Sequence, residues 1–86
     1  MPKRSGQREI ADYIRSVLSD RGFRLPSSSA IVEQQQWIVF KNKGRAIGID
    51  RNGGIWVRES GDKWRCIEKS GKVGAALEAV EFLLKD

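Results

Sequence analysis

An aromatic ring set among cations is the pattern in this chain best suited to chemistry. Trp56, Arg58 and Arg65 fall on one predicted side of a small sheet, and Lys63 and Arg45 stand near its hairpin ends. A base can stack on such a ring while the cations hold its phosphates, as single-stranded nucleic acid requires. Lys41, Lys43, Arg45 and Arg51 gather around two further predicted turns. Protruding hairpin loops can follow a nucleic-acid backbone, although solvated turn residues are the ordinary explanation of such a cluster. Ser70-Gly71-Lys72, with Lys69 just before it, opens the last predicted helix. The unpaired amides and positive dipole end of a helix N-terminus attract anions. Lysines extending into water, with Glu68 offsetting Lys69, account for that pattern equally well.

Other chemistries lack their residues. The 86 residues include no histidine and one cysteine, Cys66. General-base work by imidazole, a Cys/His zinc site and an intrachain disulfide therefore have no means. No G-x-S-x-G elbow or Walker loop is present. Cys66 falls mid-strand with no base to activate it, which suits a small inert hydrophobe. Asp50, Glu59 and Asp62 lie near hairpin ends, where turn-favouring acids explain them. No enzyme, metal or cofactor is expected.

The net charge is +5, unevenly placed. Residues 41–72 carry nine basic and four acidic side chains, whereas residues 73–86 carry one and three. A basic balance favours anionic partners, nucleic acid above all, and also serves plain solubility. Residues 1–6 look like a flexible basic tail without the apolar segment of a secretory signal, and no run approaches the length of a membrane span. The expectation is a cytoplasmic protein with residues 7–86 forming one domain.

The elements that position these residues follow from periodicity. Ile10, Tyr13, Ile14, Val17 and Leu18 form a helical stripe after Ser5, a suitable N-cap, and Gly22 suits the close of that helix. Leu25-Pro26 breaks the chain, and Ser27-Ser28-Ser29 reads as loop. Ala30-Ile31-Val32 either begins a strand running on to Phe40 or forms a short strand of its own. Apolar runs then alternate with turn signals from Trp37 to Ile67, the mark of an antiparallel meander. A three-residue loop Arg51-Asn52-Gly53 pairs Ile49 with Ile55 and Ile47 with Val57, with Gly53 left-handed in a G1 bulge. An even loop at Ser60-Gly61 then places Trp64 and Cys66 with those aliphatics, and Arg65 and Ile67 with Trp56. Loop length leaves open whether Trp37/Val39 or Ile38/Phe40 face the core. A final helix from about Lys72 to Leu84 is apolar on most sides.

The expected fold is α+β: an N-terminal helix, a three- to four-stranded antiparallel meander, and a C-terminal helix packed on the sheet. That order resembles double-stranded RNA-binding domains, and Ser70-Gly71-Lys72 followed by Ala75-Ala76 is similar to the start of their last helix. The longer lysine cluster and alanine spacing of that family are missing. A three-stranded sheet followed by a helix is also similar to the DNA-binding domains of some integrases and plant transcription factors. The chain is assigned to none of these, because a fold does not carry a function with it. The leading expectation is a non-catalytic DNA- or RNA-binding accessory protein acting through Lys41, Lys43, Arg45, Trp56, Arg58, Lys63, Arg65, Lys69 and Lys72. The alternative is an interaction module or homodimer using Val73, Leu77, Val80, Phe82 and Leu84 on the last helix.

Overall fold

Four turns fold the middle of the chain back on itself, and each decides which side chains share a face. The computed structural model describes residues 6–69 and 74–85. Within them run α1 (Gln7–Asp20), β1 (Ser27–Val32), β2 (Gln35–Asn42), β3 (Arg45–Ile49), β4 (Ile55–Glu59), β5 (Arg65–Glu68) and α2 (Gly74–Leu84). The strands form one antiparallel sheet in the order β1-β2-β3-β4-β5. The α+β class stands, with five strands rather than three or four.

The extra strand is β1. Ser27-Ser28-Ser29, expected as loop, pairs with Phe40, Val39 and Ile38. The turn that creates it, Glu33-Gln34, holds φ of 54° and 64° at two non-glycine residues. Left-handed backbone at both central positions makes the two-residue hairpin whose twist matches its strands. Lys43 and Gly44 do the same between β2 and β3, at 50° and 81°.

Between β3 and β4 the three-residue loop is present. Gly53 lies at φ 83°, and Ile49 faces Ile55 while Ile47 faces Val57. The next loop corrects the expected parity. Val57 pairs with Arg65 and Trp56 with Cys66, which centres an odd loop on Gly61 at φ 85°. One residue of difference turns every β5 side chain over. Cys66 therefore shares the face of Trp56, and Arg65 shares the face of Val57, the reverse of the sequence reading. Trp64 follows Cys66 to that face, where it meets Trp37, and Ile67 packs into the helix-side core.

Both helices cover one face of the sheet. Ile10, Ala11, Ile14 and Leu18 of α1 and Ala76, Ala79, Val80 and Leu83 of α2 bury against Phe40, Ile47, Ile49, Ile55 and Val57. Each Val, Leu, Ile or Phe side chain among them contributes about 1.5–3 kcal/mol when removed from water. Ile38 packs beside them, so Ile38/Phe40 is the pair facing the helices. Gln7 pins the start of α1 by donating to the carbonyls of Gln36 and Ile49 at 2.9 and 3.0 Å. Phe23 N–H returns to the Leu18 carbonyl at 2.9 Å, closing α1 through Gly22 at φ 84° as expected. No described helix is long and apolar enough to cross a membrane. Ser5, the tail before it, and Ser70 to Val73 lie outside the described residues.

Candidate nucleic-acid interface

With the helices on one side, the other side of the sheet carries a second apolar cluster to which neither helix contributes. It is built from Trp37, Val39 and Ala46, with Ala30, Val32, Trp56 and Trp64 packed against them. Three tryptophans converge there. Trp37 lies 5.2 Å from Trp56 and 5.4 Å from Trp64, centroid to centroid, tilted against the first and edge-on to the second. Such offset and edge-on geometries suit the ring quadrupoles. Trp37 is only 3% exposed, while Trp56 and Trp64 are half-buried.

Gly48 permits this stack. A Cβ there would stand 2.7 Å from Trp37 Cε3 and 3.0 Å from Trp64 Cζ3, so both rings lie on bare backbone. Asp50 fixes the third ring. Its Oδ2 accepts the Trp56 indole N–H at 3.0 Å, and its Oδ1 accepts the amides of Asn52 and Gly54 at 2.8 Å each. The turn acid therefore ties the β3–β4 loop and the Trp56 ring together. The Trp37 indole nitrogen is buried and finds no acceptor among the described residues.

The rings line a groove of about 700 Å³, whose other walls include Val32, Gln35, Arg58 and Lys63. The groove has a basic and an acidic end. Lys41, Ala46 and Arg58 are register neighbours across β2, β3 and β4 on the tryptophan face. Lys41, Lys43 and Arg58 also line an adjoining pocket of about 320 Å³. The Arg58 guanidinium carbon sits 5.0 Å from the Trp64 ring centroid, a cation over an aromatic face. Glu33 and Asp50 line the groove near the turns at the opposite end of these strands, whereas Asp62, in the β4–β5 loop beside Lys63, places one carboxylate at the basic end.

The nine residues singled out in the sequence do not form one patch. Trp56, Arg58 and Lys63 line the groove, while Lys41 and Lys43 reach Arg58 through the adjoining pocket. Arg45 also lines that adjoining pocket, but its guanidinium is engaged on the helix side. It donates to the Lys85 carbonyl and lies 5.7 Å from the Phe82 ring centroid, so it caps the C-terminal end of α2. Asn42 assists by donating to the Leu83 carbonyl at 3.2 Å. Arg65 is likewise on the helix side, lining a hollow with Phe82. Lys69 follows β5, and Lys72 is outside the described residues.

The apolar residues of α2 are mostly engaged within the chain. Val80 is fully buried in the core, Phe82 and Leu84 pack partly against it, and Leu77 is 42% exposed. Val73 is outside the described residues. Cys66 is an unbridged, half-buried thiol. Among the described residues no three acidic, cysteine or histidine side chains cluster to hold a metal.

Trp37, Trp64 and Gly48 escaped the sequence reading. Loop length leaves the facing of the first undetermined, and one loop residue decides the facing of the second. Gly48, an apolar-run glycine opposite two tryptophans, becomes meaningful only once those parities are known. Comparisons with family models, curated proteins and solved structures return no match.

Proposed function

We propose that the chain is a non-catalytic binding protein for single-stranded nucleic acid, with the tryptophan face as its platform. The observation that supports this best is the juxtaposition of half-buried Trp56 and Trp64 with Arg58 and the loop residue Lys63, and with Lys41 in the adjoining pocket, on a sheet face that the helices leave uncovered. A base stacks on an indole ring, and each such contact is worth about 1–3 kcal/mol. The cations at the basic end take the flanking phosphates. A duplex keeps its base faces stacked internally, so it offers the rings nothing to bind.

Release of counterions from the strand makes binding salt-dependent. With three phosphates neutralised by Lys41, Arg58 and Lys63, the slope of log K against log salt is about −2 for a single strand. Affinity should then fall about 20-fold between 50 and 200 mM salt. Anisotropy titrations with a labelled mixed-sequence strand and its duplex test this. The platform predicts tighter binding to the strand and that slope. Equal affinity for the duplex, or binding insensitive to salt, contradicts it. Retention on an uncharged oligosaccharide without affinity for the strand would assign the rings to sugar stacking instead.

A further inference from the structure

The buried Trp37 indole nitrogen has a use on this platform. A hydrogen-bond donor removed from water without a partner is destabilising, and buried donors in folded proteins are nearly always satisfied. Trp37 violates that rule while lining the groove, and its ring position is closely held. Its Cε3–Cζ3 edge lies against Gly48, and the N–H is diametrically across the indole, turned away from that contact. Each of the other two rings has a defined partner of its own. Trp56 donates its N–H to Asp50, and Trp64 carries Arg58 over its face.

Resting on the single-strand reading above, we infer that the Trp37 N–H reads a ring carbonyl of one unstacked base held in the groove. Uracil, thymine, cytosine and guanine each carry such an oxygen, and adenine carries none. Val32 and Gln35, both half-buried, line the groove with Trp37. The Trp37 nitrogen itself is closed off, so a base meets the donor only when the lining opens locally. The indole N–H has no acceptor capacity, so an amino group presented there leaves two donors facing each other. The groove therefore favours keto over amino edges, and the phosphates stay with Lys41, Arg58 and Lys63.

The test compares two labelled strands that carry one central purine, hypoxanthine or adenine, every other nucleotide being abasic. Only that base can stack, and the two purines differ at the carbonyl position without a change of ring size. The expected result is about five-fold tighter binding of the hypoxanthine strand, the range of a single net hydrogen bond. The variant Trp37→Phe keeps an aromatic ring without the donor and should bind both strands equally. Because that variant removes volume from the cluster, the wild-type protein supplies a second readout. The ¹⁵N-indole proton of Trp37 should move downfield with the hypoxanthine strand and not with the adenine strand. Equal binding of both strands with no indole shift overturns the carbonyl reader and leaves the platform standing. No binding of either strand, together with none of a mixed-sequence strand, sinks the platform and the reader together.

Discussion

Gly48→Ala is a small change with a large calculated consequence. The backbone at Gly48 is outside the left-handed region, so the substitution costs nothing in φ and acts through space alone. The new methyl would sit 2.7 Å from Trp37 Cε3, 3.1 Å from its Cζ3 and 3.0 Å from Trp64 Cζ3. Carbon atoms rest comfortably at about 3.5–4.0 Å, so the Trp37 edge must withdraw by roughly 0.8 Å and Trp64 by roughly 0.5 Å. Trp37 is wedged against Trp56 and Trp64, so the ring has little room to move. Overpacking of this kind costs about 1–3 kcal/mol. Loss of glycine freedom in the unfolded chain returns about 0.4–1 kcal/mol. The net of about 1–2 kcal/mol lowers Tm by roughly 5–15 °C in a domain of this size. Thermal melts by circular dichroism give the shift, and near-ultraviolet spectra report the displaced indoles. Gly48→Ala/Trp64→Leu should recover part of the loss, because one of the two clashing rings is gone. A Gly48→Ala protein with unchanged Tm and unchanged aromatic spectrum would refute the packing described.

Five other substitutions separate scaffold from site. Asp50→Ala removes the acceptor for two amides and the Trp56 indole, and should cost about 2–4 kcal/mol by urea denaturation while shifting the Trp56 emission. Gln34→Gly relieves a left-handed non-glycine residue and should stabilise by about 1 kcal/mol, read as a higher urea midpoint. Arg45→Ala should lower stability by about 1 kcal/mol through the α2 terminus and the Phe82 contact. It should leave strand affinity within two-fold, whereas Lys41→Ala or Arg58→Ala reduces the magnitude of the salt slope by about 0.7.

Local chemistry made much of the architecture legible before any coordinates. The α1 stripe, the Gly22 close and the Gly53 loop each follow from residue types whose conformational demands are nearly unique. What failed was parity. Glu33-Gln34 turns without glycine or asparagine, so no local signal announced β1, and the serines ahead of it looked like loop. The loop around Gly61 tolerates even and odd registers alike, and the choice flips Trp64, Arg65, Cys66 and Ile67 together. Arg45 and Arg65 were placed with the site because charge is visible in a sequence and facing is not. Conversely, the three-ring cluster joins Trp37, 11 residues before Gly48, to Trp56 and Trp64, 8 and 16 residues after it, and only the sheet brings them together.

An NMR titration of the ¹⁵N-labelled protein with a short single strand probes the binding face most directly. Binding on the tryptophan face should shift all three indole N–H signals and the amides of Lys41, Ala46 and Arg58, with the amides of α1 unmoved. Shifts confined to the helices, or none at saturating strand, would contradict it.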